Sequence, residues 1–282
     1  MAEQAELEGM PKRLYSAAPT RLLTFLDCPR RYRFSYLDRP PPPKGPPWAH
    51  NSLGSAVHNA LAEWWRLPLE RRTVEAAGDL VESGWLTQGF RNDRQALQQR
   101  DRARDMVERY VADLDPADEP VGIERVVGLT TPRASLWGRV DRIDDRPEGL
   151  VIVDYKTGRH ALTVDDARAS LPMAVYAAAT ARTLRRPCLR VELHHLPTGE
   201  VLAWDHTEES LGRQLRRADS LAAEVARSDQ AFRQGLSEQE ADEAFPARPG
   251  PICGWCDFNR VCGPGSAVRS PLDPWAGVPA DE

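Results

Sequence analysis

The apolar positions change period as the chain proceeds. From Thr20 to Tyr36 they recur at helical spacing, with Leu22, Leu23, Leu26, Tyr32 and Phe34 as anchors. Pro29 interrupts that helix, because its ring fixes φ and removes an N–H. The run from Arg39 to Pro47 is dominated by proline and predicts a stiff, extended connector. A helix capped by Ser52 or Ser55 then runs to about Trp65, with Ala56, Ala60 and Trp64 on one face. Residues 70–113, rich in Ala, Arg, Glu and Gln, predict two more helices. The pattern next becomes that of strands over Val121–Leu129, Ala134–Ile143 and Leu150–Tyr155. Val164–Arg186 is alanine-rich and helical, Cys188–Leu196 and Glu200–His206 form a hairpin around Pro197-Thr198-Gly199, and Glu208–Ala226 is an amphipathic helix. Residues 1–13 and the tail after Gly263 (264–282) carry no such pattern and are expected to be disordered. Helices, then strands, then a helix, then strands predict an α/β core over 14–263, with a helical insertion at about 66–115.

Composition narrows this picture without redirecting it. At 282 residues, with 41% hydrophobic and 28% charged positions, the chain has the make-up of an ordinary globular protein of one large domain or two small ones. No stretch approaches the roughly 18 apolar residues of a membrane span, and the first residues lack the apolar stretch of a signal peptide. A cytoplasmic location follows as an expectation, and in that reducing setting five cysteines read as metal ligands rather than disulfides. The net charge of −5 excludes a surface coated in basic groups but leaves room for a local field. Arg21, Arg30, Arg31, Arg33 and Arg39 crowd around Cys28, where Arg30 and Arg31 are candidates to contact phosphates. The second run, from Arg91 to Arg109, reads as a solvated helix face.

Candidate chemistry lies in two places. Gly138-Arg139-Val140-Asp141-Arg142 and Val151-Ile152-Val153-Asp154-Tyr155-Lys156 flank a turn marked by Pro147 and Gly149. Asp154 and Lys156 share a strand face. A two-residue loop, Pro147-Glu148, would set Asp141 opposite Asp154; a loop one residue longer would put them on opposite faces. Converging carboxylates hold Mg²⁺ or Mn²⁺ through hard oxygen ligands, and the lysine then stabilises charge developing on a phosphate. His58, on the helix opened by Gly54-Ser55-Ala56-Val57, offers an imidazole to the same ion. Glu124 is a further carboxylate, read as facing solvent. The second place is Cys253-Gly254-Trp255-Cys256 with Cys262, joined by the remote Cys28. Three close thiolates plus one distant one complete a Cys₄ site for a [4Fe–4S] cluster or for zinc; the one-plus-three spacing suits the cluster better than paired zinc knuckles. Cys188 has no partner motif and reads as a core residue.

In this order, Cys28, His58, Asp141, Asp154-x-Lys156 and the three late cysteines, the chain resembles the RecB-like branch of the PD-(D/E)XK nucleases. Within that branch it is similar to the iron–sulfur nucleases of AddAB-type helicase–nucleases and of CRISPR spacer acquisition. The resemblance implies a restriction-endonuclease-like mixed sheet flanked by helices, with the cysteines (Cys28 and segment 250–263) stapling the two ends of the domain. It implies a catalytic set of Asp141, Asp154, Lys156 and Tyr176, metal ligation by His58, Asp141 and Asp154, and exonuclease action on single-stranded ends of DNA in repair or recombination, with a helicase as partner. The family carries Gln-x-x-x-Tyr on the following helix, and this chain has Tyr176 but Pro172 in the glutamine's place. No G-x-x-x-x-G-K-[S/T] phosphate loop is present, so the chain is not expected to be a helicase itself. Two other readings stay open: a non-catalytic DNA-binding scaffold that keeps the fold, and a zinc-stabilised interaction module.

Overall fold

The computed structural model describes residues 14–279; the expected disorder of residues 1–13 lies outside them. Pro29 splits the first helical stretch as its chemistry requires. α1 (Pro19–Asp27) ends and α2 (Pro29–Tyr36) begins around an extended Cys28, φ −158°. The proline occupies the first position of α2, where a missing N–H costs nothing. The Pro-rich connector carries no regular structure and leads into α3 (Ala49–Arg66). Neither Ser52 nor Ser55 caps α3, which starts three residues before Ser52. Its first N–H, from Ala49, donates to the carbonyl of Pro274 at 3.0 Å, while Ser52 Oγ donates to the carbonyl of Gln88. α4 (Val74–Ser83) and α5 (Asp93–Ala112) follow, capped by Thr73 and Asn92.

A six-stranded mixed sheet forms the centre. β1 (Tyr15–Ala17) runs parallel to the start of β3 (Ala134–Arg146), and β2 (Gly122–Thr130) pairs antiparallel along most of β3. β4 (Gly149–Lys156) pairs antiparallel with the far end of β3 and parallel with β5 (Cys188–His195), which closes on β6 (Glu200–Asp205). Arg146 pairs with Gly149, so the turn is the two-residue Pro147-Glu148 form. Gly149 has φ +133°, and a Cβ there would lie 2.9 Å from the Pro187 carbonyl oxygen, so only glycine fits.

Two apolar layers cover the sheet. On one face, α7 (Leu171–Leu184), α8 (Glu208–Arg233) and α1 pack against Leu136, Val140, Ile143, Leu150 and Ile152. On the other, α3, α4 and α5 pack Trp64, Trp65, Val81 and Val107 against Val151, Val153 and Tyr155. The alanine-rich stretch is two helices, α6 (Val164–Ala169) and α7, parted at Ser170. Pro172 sits in the first turn of α7 and needs no N–H donor there. α8 extends to Arg233, seven residues past its expected end, and α9 (Glu238–Ala244) follows.

The chain after Gly263 departs from the expected disorder. Gly263–Val268 forms α10, Val278 is buried among α3 and α5, and the Pro279 carbonyl accepts from Gln99 Nε2 at 3.3 Å. The hydropathy pattern hid this because the segment docks through a few backbone carbonyls and single apolar side chains rather than through a periodic face.

Candidate active site

Asp141 sits where two strands fork. The β3–β4 ladder runs from Arg146↔Gly149 to Arg142↔Val153, and Asp141 and Asp154 are the next residues beyond it. The freed Tyr155 N–H donates to Asp141 Oδ2 at 2.9 Å, so the side chain takes the place of a ladder acceptor. On the other edge, Ile123 pairs with Arg142 and Arg125 with Val140, which sets Glu124 across from Asp141. Glu124 has φ +48°, an uncommon left-handed conformation for a residue with a side chain. Three carboxylates therefore share one row across three strands: Glu124, Asp141 and Asp154.

α3 brings His58 to this row. Its Nδ1 lies 3.3 Å from Asp141 Oδ2, and its Nε2 is 3.1 Å from the Tyr155 carbonyl. One residue of β4, Tyr155, thus orients both neighbours through its backbone. His58, Glu124 and Asp141 offer ligand atoms that all lie within 4.8 Å of one another. The arrangement suits a hard divalent cation, with two carboxylates and an imidazole whose far nitrogen is fixed by a carbonyl. Asp154 lies beside that group, with its Oδ2 2.5 Å from Lys156 Nζ.

The electrostatics match the crowding. Burial pulls the His58 imidazolium down, but the Asp141 hydrogen bond and the charges of Asp141 and Asp154 outweigh it, leaving the pKa raised. Burial, then the nearby Asp141 charge, raises Glu124 despite Arg139. Burial also raises Asp154; the Lys156 ammonium opposes this and Asp141 adds to it. Carboxylates held in this way gain from a cation among them.

Tyr176 lies on α7, with its ring against Gly138; a Cβ at Gly138 would come within 2.2 Å of Tyr176 Cε1. Burial and the charges of Asp154 and Asp141 push the Tyr176 hydroxyl up to about 12.

A cleft of about 950 Å³ opens over the row, lined by His58, Glu124, Tyr155 and Lys156. Its basic wall comes from Arg102 and Arg109 of α5, with Arg139 and Arg159. One guanidinium nitrogen of Arg102 is enclosed and has no hydrogen-bond partner among the described residues. Arg102 and Arg109, expected on a solvated helix face, line this cleft, whereas Arg30 and Arg31 do not. Arg30 is buried and donates to the carbonyls of Phe245 and Asp242, so it serves the interior. Arg31 lines the cysteine cavity, where its charge bears on Cys256. Glu124, expected to face solvent, instead turns to His58 and Asp141. The clue was strand parity, since the antiparallel count that pairs Thr130 with Ser135 carries Glu124 to Asp141.

Cys28, Cys253, Cys256 and Cys262 line one small cavity of about 30 Å³. The Gly250 N–H donates to Cys253 Sγ at 3.4 Å, and a Cβ on Gly265 would lie 3.4 Å from the sulfurs of Cys253 and Cys262. Burial raises Cys256, which the Phe258 backbone N–H and then Arg31 offset in part. Cys188 is buried in the sheet and pushed up to about 12 by burial, apart from this group.

A sheet whose forked strands carry Asp and Asp-x-Lys, roofed by a histidine-bearing helix, defines a class of metal-dependent phosphodiesterases. The family model of the PD-(D/E)XK nuclease superfamily matches residues 16–263, and the chain belongs to that superfamily. Membership makes nucleic acid the expected substrate class and a divalent metal the expected cofactor. No curated protein matches the chain. Among the described residues, no helix is long and apolar enough to cross a membrane.

Proposed function

We propose that the chain is a metal-dependent DNA exonuclease that hydrolyses phosphodiesters at the β3–β4 fork, acting on single-stranded ends. The observation that carries this reading is the gathering of His58, Glu124 and Asp141 beside the Asp154–Lys156 pair, with His58, Glu124 and Lys156 lining a cleft that has a basic wall. Glu124, Asp141 and His58 would hold Mg²⁺ or Mn²⁺, with Asp154 completing the set. The bound ion would supply polarisation of the scissile phosphate and an acidified water. The protein's own part is positional. The Tyr155 carbonyl fixes His58 Nε2, leaving Nδ1 turned to the carboxylates. The Tyr155 N–H holds one oxygen of Asp141 and leaves the other open. Lys156, tethered by Asp154, stands at the cleft wall, where its ammonium can meet charge developing on the phosphate. Tyr176, packed on Gly138, feels the charges of Asp154 and Asp141 through its hydroxyl.

The four cysteines would hold a [4Fe–4S] cluster. In support, the thiols gather from both ends of the chain around one cavity, a backbone N–H is aimed at a sulfur, and Gly265 leaves the sulfurs room. The cluster would staple α2 to the C-terminal segment rather than take part in hydrolysis. Action in DNA repair or recombination, and a helicase partner, rest on the resemblance to helicase-linked nucleases. The test is Mn²⁺- or Mg²⁺-dependent degradation of end-labelled strands by anaerobically purified protein, with iron and zinc assayed in parallel. Cleavage lost on removing the ion supports the reading. Binding without cleavage supports a scaffold, and zinc without iron supports the zinc-stabilised alternative.

A further inference from the structure

Beyond the metal row, the open face of the β2–β3 ribbon continues without cover. Along β3 from Ala134 to Asp141, the positions not buried are Ser135, Trp137, Arg139 and Asp141, and along β2 they include Glu124, Val126, Gly128 and Thr130. The rungs run in order from the site: Asp141 across from Glu124, Arg139 paired with Val126, Trp137 paired with Gly128. Trp137 is 47% exposed, Val126 62%, and the Arg139 side chain 68%. An indole directly across from a glycine has no cross-strand side chain to cover it. Trp137 and Asp141 are four residues apart on one strand, about 13 Å between Cα atoms, with Arg139 between them.

We infer that Trp137 is a base-stacking platform for an unpaired nucleic-acid strand whose adjacent phosphate lies on Arg139 and whose scissile phosphate lies at the metal row. The inference rests on the nuclease reading and adds to it how the strand is gripped. Two features argue for a nucleic-acid strand as occupant. The surface is continuous with the catalytic row, and the cleft beside it is basic, with Arg102, Arg109 and Arg159 complementary to a polyanion. A flat aromatic surface beside a cation matches the alternation of base and phosphate along a single strand. A duplex keeps its base faces stacked inside and cannot offer one to Trp137 without opening. The platform therefore favours single strands over duplex and is indifferent to sequence, since every base has a π-face.

The test compares the parent with Trp137→Ala and Trp137→Phe. Their melting temperatures should agree, because the ring is half exposed and spans no core. Binding of a fluorescein-labelled single-stranded oligonucleotide, without divalent metal, should weaken about 5- to 150-fold in Trp137→Ala and stay near parent in Trp137→Phe. The same oligonucleotide with abasic positions should bind parent and Trp137→Ala alike, because the base that stacks is gone. Cleavage by Trp137→Ala with Mn²⁺ should show raised KM with kcat near parent. Equal binding of the base-bearing strand by parent and Trp137→Ala would overturn the inference. So would an equal loss on base-bearing and abasic strands. In either case, cleavage by the parent would leave the nuclease reading standing. A folded parent that neither bound nor cleaved any strand would remove both.

Discussion

Asp141 connects the chemistry to the fold at a single residue. One of its oxygens closes the β3–β4 fork by accepting from Tyr155 N–H, and the same oxygen faces His58. Replacing Glu124, its neighbour across β2, therefore tests the metal group without disturbing the fork. Glu124→Gln keeps the shape and removes a charged ligand, so Mn²⁺ affinity measured by calorimetry should fall at least about tenfold, with the fold unchanged. Lys156→Ala should lower kcat by about 10²–10³-fold, as loss of one charge-stabilising donor does elsewhere, with little change in stability. Gly138 is fixed by packing instead. A methyl there meets the Tyr176 ring, so Gly138→Ala should destabilise by about 1–3 kcal/mol in denaturant titrations, and Tyr176→Leu alongside it should recover part of that loss.

At the scale of elements, the sequence showed the strands and helices clearly wherever a single period ran long enough. The β3–β4 hairpin was legible down to two alternative registers, and the structure has the one in which Asp141 meets Asp154. What could not be read locally was set by tertiary contact. Ser52 resembles a cap, yet α3 begins earlier because a distant carbonyl, that of Pro274, takes its first N–H. Arg30 looks like a phosphate ligand by composition, but its partners lie more than 200 residues away in Asp242 and Phe245. Pro172, which weakened the match to the family helix, opens α7 at a position where proline is well placed.

β5, β6 and the residue that follows carry a pH dependence. Burial, only partly opposed by the Glu192 hydrogen bond, holds His194 below its ordinary value; burial does the same to His206. Such a histidine binds protons on unfolding. Its contribution to stability is complete above the unfolded value of about 6.5 and declines as pH falls below it towards the folded value. On their account melting temperature should drop as acid is added below about 6.5, whereas the raised His58 acts in the opposite sense and withdraws its contribution as pH rises above about 6.5. His206→Asn, which can keep a hydrogen bond to Ser210, should flatten part of that decline.

At the scale of the molecule, the chain's end returns to its beginning. Gly45 N–H donates to the Asp257 carbonyl at 2.7 Å, Trp48 Nε1 donates to Asp257 Oδ1 at 2.8 Å, and Asn259 bridges the carbonyls of Cys253 and Arg269. The four cysteines sit at this junction. From it the last described residues pass along the rim of the cleft, where Arg159 donates to the Ala276 carbonyl. Cys256→Ser should lower the melting temperature and the yield of folded protein. If the cluster reading holds, it should also bleach absorption near about 400 nm together with iron content. A colourless, iron-free parent matched in stability by the variant would remove the cluster. The measurement closest to the central claim is degradation of end-labelled single- and double-stranded DNA with Mn²⁺ or Mg²⁺, comparing the parent with Lys156→Ala. The account predicts metal-dependent cleavage by the parent and almost none by the variant; equal cleavage by both, or none by a folded, metal-loaded parent, would contradict it.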